Sequence, residues 1–152
     1  MIGVTSRAHT FARPETQQAV TRFYTEVLEA QPVPIPGGDE WSVFGFRFSD
    51  GSSLSVGFTR DALDAEALRW GAWLELVTDE PHDLQERVLE ARLPQVGYPG
   101  SNVFYFQAPG GQVWRIVSTT GELVAALDEQ IRAHVPRFRD DQSFDADWTQ
   151  SK

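Results

Sequence analysis

One pattern constrains this chain more than any other feature: strand, helix, Pro/Gly-rich connector, then hairpin, and the series occurs twice. In the first pass, Ala8–Ala12 is a strand candidate and Thr16 a candidate N-cap, its hydroxyl free to accept from an orphan backbone N–H. Val20, Phe23, Tyr24, Val27 and Leu28 then recur at three- and four-residue steps, giving one apolar helical stripe for a sheet to bury. Pro32, Pro34 and Pro36 with Gly37-Gly38 allow an edge strand at most. Trp41–Phe48 alternates, with Phe44, Phe46 and Phe48 on one face and Val43, Gly45 and Arg47 on the other. Asp50-Gly51 marks a hairpin turn, and Leu54, Val56 and Phe58 continue with period two.

Thr59–Gly71 is a polar link with a short helical flavour. The second pass comprises a strand at Ala72–Val77 and a helix at Asp83–Leu93 with the stripe Leu84, Val88, Leu89 and Leu93. A Pro/Gly connector at Pro94–Ser101 follows, then a hairpin from Asn102–Gln107 to Gln112–Ser118. Identity between the two passes is slight; they share a pattern. Glu122–Val135 reads as a third helix, and from Pro136 onward the chain is polar and acidic. That tail is expected to order only where Phe138, Phe144 and Trp148 find a surface.

His9 lies fourteen residues before Phe23-Tyr24, and the second hairpin reads FYFQAPGGQVWRIV. In this order and spacing the two segments resemble the vicinal oxygen chelate superfamily: glyoxalases, bleomycin resistance proteins and extradiol dioxygenases. The resemblance covers roughly Ser6 to Thr119. Ala108 and Gln112 stand where the family's hairpin carries Asp and Asn. It implies an α+β fold of two βαβββ modules forming a curved mixed sheet around a cavity, helices outside. The modules fall at about 6–59 and 71–119 within a domain of residues 1–120. A C-terminal helix and acidic tail, 121–152, follow.

The resemblance also supplies a test of chemistry. Metal-dependent members hold a divalent ion with His and Glu from four inner strands, and His9 matches the first position. Ser53–Thr59 offers no His, Asp or Glu, the third position falls on Trp73 or Ala72, and the last on Arg115. The register with Trp73 inward is preferred, because it sends Leu74 and Leu76 to the helix side and keeps Glu75 out of the core. One ligand of four remains, and a guanidinium cannot ligate a metal. No metal and no cofactor is therefore expected, and the chain leans away from enzyme activity.

The inner face instead carries His9, Phe11, Trp73, Glu75, Val113 and Arg115. That is an aromatic ligand site with a few oriented polar groups. Each member has a plainer reading. His9 can be a hydrogen-bonded structural residue, the tryptophans can fill core or a dimer interface, and Glu75 can pair with Arg115 across neighbouring strands. The segment AWLELV resembles the tryptophan-bearing strand of bleomycin-binding proteins. The leading expectation is a metal-free binding protein for an aromatic or cationic drug or metabolite; the net charge of −9 repels nucleic acid and anionic membrane. A metal-dependent lyase, isomerase or dioxygenase with an atypical site is the alternative, and a partner-binding module using the C-terminal helix and tail the second.

Composition bounds the rest. At 152 residues the chain suits one domain burying roughly 68–70% of its unfolded surface. The absence of cysteine excludes disulfides and thiolate chemistry. There is no GxSxG, phosphate-loop or GxGxxG motif. Nothing at the N-terminus has the apolar core of a secretory signal, so a cytoplasmic location is expected, and the resemblance implies a homodimer.

Overall fold

The computed structural model describes residues 7–35 and 42–126. The first module comprises β1 (Arg7–Ala12), a 3₁₀ turn (Pro14–Thr16), α1 (Gln17–Arg22) with a π-helical continuation (Phe23–Val27), β2 (Gln31–Pro34), β3 (Ser42–Arg47) and β4 (Ser53–Phe58). A short α2 (Ala65–Leu68) leads to the second module: β5 (Trp73–Thr78), α3 (Pro81–Glu90), β6 (Gln95–Val96), β7 (Tyr105–Gln107) and β8 (Val113–Ser118). The two four-stranded mixed sheets have equivalent orders, β1-β4-β3-β2 and β5-β8-β7-β6. In each, the first strand runs parallel to the last while the others pair antiparallel.

Alternation gives each sheet an apolar face and an open face. Ala12, Phe46, Leu54, Val56 and Phe58 of the first sheet share one buried cluster with Leu76, Phe106, Trp114 and Ile116 of the second. The helices supply the side chains that join them. Tyr24 stacks on Phe46 at 4.6 Å and meets Trp114 edge-on at 6.4 Å, and Phe23 reaches Phe106 at 6.0 Å. Fully burying each such side chain contributes about 1.5–3 kcal/mol. Arg87 of α3 also bridges to Glu29 at 3.0 Å, tying the helix of one module to the helix end of the other.

Local chemistry sets the boundaries. Thr16 does not cap α1 through its side chain. Its hydroxyl donates back to the Arg13 carbonyl at 2.7 Å, closing the 3₁₀ turn that Pro14 begins. The π turn is closed by Leu28 N–H to the Phe23 carbonyl at 3.1 Å, and Glu29 leaves the helix with φ of 54°. Arg92 takes the same φ just past α3. α3 starts two residues earlier than its apolar stripe suggests, because Pro81 is preorganised for a first helical position. β2 pairs only with β3 and is the expected edge strand.

At the C-terminal end the expected helix from Glu122 does not begin. Residues 122–126 are extended instead: Leu123 bridges to Val117 and Ala125 to Val103. The Phe104 N–H donates to the Val124 carbonyl at 2.8 Å, and the Val124 N–H to the Ile116 carbonyl at 3.2 Å. The segment thus wedges between β8 and the approach to β7, where their own ladder ends at Tyr105–Arg115, and Val124 joins the core. The rest of the expected helix and the acidic tail lie outside the described residues.

Candidate functional site

The expected site residues divide between the two open faces. On the first sheet, His9 and Phe11 are exposed neighbours on β1 with rings 4.8 Å apart, edge to face. His9 Nδ1 shares a 2.6 Å hydrogen bond with Ser55 Oγ on β4, the residue it pairs with in parallel register. Phe11 pairs with Gly57, where an added Cβ would sit 3.1 Å from the Phe11 ring. Glycine is what lets that ring lie down over the strand.

On the second sheet, Trp73, Glu75 and Val77 project from β5 into the open, and Leu76 goes to the core, as the preferred register requires. Glu75 and Arg115 are direct partners across the β5–β8 ladder. Arg115 Nε donates to Glu75 Oε1 at 2.8 Å, and Nη2 donates to the same oxygen. This hydrogen-bonded pairing, with a smaller contribution from the Tyr105 hydroxyl, raises the guanidinium above its already high range, so Arg115 is charged at every practical pH. Its Cζ also lies 5.5 Å over the Trp73 ring. Val113, expected to touch ligand, is fully buried among Val96, Tyr98, Val103 and Tyr105. It is the floor beneath the aromatic groups and offers no surface of its own.

Three aromatic residues in this neighbourhood were not anticipated. Tyr98 lies 4.8 Å from Tyr105, 5.8 Å from Trp73 and 6.1 Å from Trp70, and Trp73 lies 5.7 Å from Tyr105. Trp70 and Trp73 remain 48% and 46% exposed, a large apolar area to leave in water. The Tyr98 hydroxyl donates to the Arg69 carbonyl at 2.7 Å, and desolvation raises its pKa.

A buried amide holds the wall that carries Trp70. Gln107, 3% exposed, donates through Nε2 to the Ala65 and Gly111 carbonyls, while its Oε1 accepts from Arg69 Nε at 2.9 Å. Gly111 has φ of 99°, and a Cβ there would meet Leu68 Cδ1 at 2.7 Å. Hairpin tip and α2 are therefore interlocked, and the link between modules is fastened to the second.

The residues do not fit the metal that this fold holds elsewhere. His9 is engaged by a hydroxyl at the position where β4 would need a ligand, and Glu75 is engaged by a guanidinium. Among the described residues no group of three or more His, Cys, Asp or Glu is gathered to hold an ion. Nor is any described helix long and apolar enough to cross a membrane.

No protein-family model and no curated protein matches the sequence. Solved structures do match. The genomically encoded fosfomycin resistance protein FosX from Listeria monocytogenes superposes with a TM-score of 0.61 at 13% identity, covering 88% of this chain and 100% of that one. That protein has also been crystallised with Mn(II) and sulfate. A glyoxylase/bleomycin resistance protein/dioxygenase domain from Frankia sp. EAN1pec gives 0.58 at 16% identity, over 88% and 100% of the two chains. An integron cassette protein from the V. cholerae mobile metagenome gives 0.53 at 18% identity, over 78% and 97%. The chain has the vicinal oxygen chelate fold.

Proposed function

We propose that this chain uses the vicinal oxygen chelate fold as a metal-free binding protein, holding a small aromatic molecule against the open face of its second sheet. The observation that carries the reading is the cluster of Trp73, Tyr98 and Tyr105 around the Glu75–Arg115 pair. Rings fixed in mutual contact provide area for a flat guest at little cost in side-chain freedom, and the ion pair supplies oriented donors and acceptors. His9 and Phe11 lie on the other sheet, so a complete site needs a second open face. A homodimer in which one protomer's first sheet covers its partner's second would provide one. Such a dimer would sequester an aromatic drug or metabolite in the cytoplasm.

Titration with a panel of aromatic antibiotics and metabolites, followed by tryptophan fluorescence, tests the reading. Saturable quenching that EDTA leaves unchanged is expected, together with a dimer by sedimentation. Silence across the whole panel would sink it.

The likeness to a protein crystallised with Mn(II) favours a second reading, an enzyme of the same fold working through an atypical metal site at His9. Elemental analysis separates the two. Stoichiometric Mn, Fe, Ni or Zn that disappears in His9→Ala would replace the binding-protein reading.

A further inference from the structure

We infer that the guest of the aromatic cluster is a planar ring bearing an anionic oxygen group, such as a carboxylate, which takes over Arg115 from Glu75. This rests on the binding reading above and gives it a ligand class. An acidic chain with exposed tryptophans suggests a cationic guest at first sight, since a cation is attracted to the face of an indole. Here that place is taken. The Arg115 guanidinium already lies 5.5 Å over the Trp73 ring, and an incoming ammonium would meet a like charge there.

The local charge points the same way. Among the described residues, two guanidiniums and one carboxylate are tied to these rings: Arg115 beside Trp73 and Tyr105, Arg69 beside Tyr98, and Glu75 on Arg115. Their sum is positive, although the chain carries −9 overall. Fields from distant carboxylates fade over a Debye length of about 8–10 Å at physiological salt, so the groups in contact decide.

Exchange is also feasible. The Glu75 side chain is 44% exposed and reaches Arg115 through one oxygen only, whereas the Arg115 side chain is 22% exposed. A pair of this kind is weak because water competes for the carboxylate. A guest carboxylate can approach the guanidinium fork with both oxygens while its ring lies against Trp73 and Tyr98, gaining the two-point geometry that Glu75 does not use.

Three probes with one ring system read the charge preference: 1-naphthoate, 1-naphthalenemethanol and 1-naphthylmethylammonium, each titrated by quenching of tryptophan fluorescence. Naphthoate is expected to bind about tenfold more tightly than the ammonium, the scale of one charge-assisted hydrogen bond. Glu75→Gln removes the competing carboxylate and should tighten naphthoate binding severalfold. Arg115→Gln should erase the preference among the three probes. Near-ultraviolet circular dichroism of both variants confirms that the sheet is intact.

If the ammonium binds best, or if Glu75→Gln weakens naphthoate, the inferred ligand class is wrong while the binding reading stands. If no probe quenches at any concentration up to solubility, both fall.

Discussion

The two modules repeat one backbone plan with opposite open faces. On the first sheet the face is light: His9 and Phe11 stand beside Ser55 and Gly57. On the second it is heavy, with Trp73, Tyr105 and an ion pair set on a buried valine. Their inner faces are not divided in this way, because residues of both sheets fill one core around Tyr24. Duplicated topology thus carries a common requirement, a shared interior, on one side of each sheet. The other side is free to differ, and the difference separates a face with room from a face with chemistry.

Removing the shared core should break both modules together. Tyr24→Ala takes away a buried ring that touches Phe46 and Trp114, and is expected to cost about 3–5 kcal/mol. Thermal unfolding should stay a single transition at lower temperature. Two separated transitions would show that the modules are independent and that the common interior is an illusion of contact.

Gln107→Leu tests whether the heavy face depends on its fastening to the link. It leaves the Ala65 and Gly111 carbonyls and Arg69 Nε without their partner, at a cost of about 1–3 kcal/mol. Trp70 emission should shift toward that of a solvated indole while the amide spectrum of β1 and β4 is unchanged. An effect spread equally over both sheets would contradict the assignment of the link to the second module.

Gly57→Ala works on the light face. The new methyl group meets the Phe11 ring at 3.1 Å, so the ring must lift, at a cost of about 1 kcal/mol or less. Chemical shifts of Phe11 and His9 should move and those of Trp73 should not.

The smallest effect concerns the turns. In the first hairpin the Asp50 carboxylate accepts from both the hydroxyl and the N–H of Ser52, at 2.6 and 2.8 Å, which lowers its pKa. A lowered folded-state pKa gives stability that is present at neutral pH and lost as pH falls through that value. The second hairpin turns through Gly110-Gly111, with no titrating group in the turn. Acid should therefore loosen the first turn before the second, and Ser52→Ala should move the Asp50 titration upward in a carboxyl-detected NMR series.

Periodicity made most of the architecture legible, since each sheet buries one face and exposes the other. The Trp73 register followed from Leu74 and Leu76 alone: a one-residue slip would have buried Glu75. The Glu75–Arg115 pair followed from the same register. Trp70 and Tyr98 were harder, because they stand singly in a polar link and a Pro/Gly connector, where no period exists to orient a side chain. Gln107 reads as an ordinary polar strand end; its burial depends on the hairpin and α2 coming together, with 42 residues separating Gln107 from Ala65. The stretch after Glu122 misled for a related reason. Leu123, Leu127 and Ile131 keep a helical step, whereas the described extended residues, 122–126, show too few alternations to compete.

That wedge has a consequence for how the protein comes into being. All strands of the first sheet have been synthesised by Phe58, yet the second sheet receives its Val124 backbone partner only when residues 122–126 are made. A chain elongating at about 5–20 residues per second therefore leaves the apolar side of the first sheet waiting for several seconds before its counterpart is complete. A message that ends at residue 120 would leave the Phe104 N–H and the Ile116 carbonyl without their partners on Val124, and the shared core without the Val124 side chain.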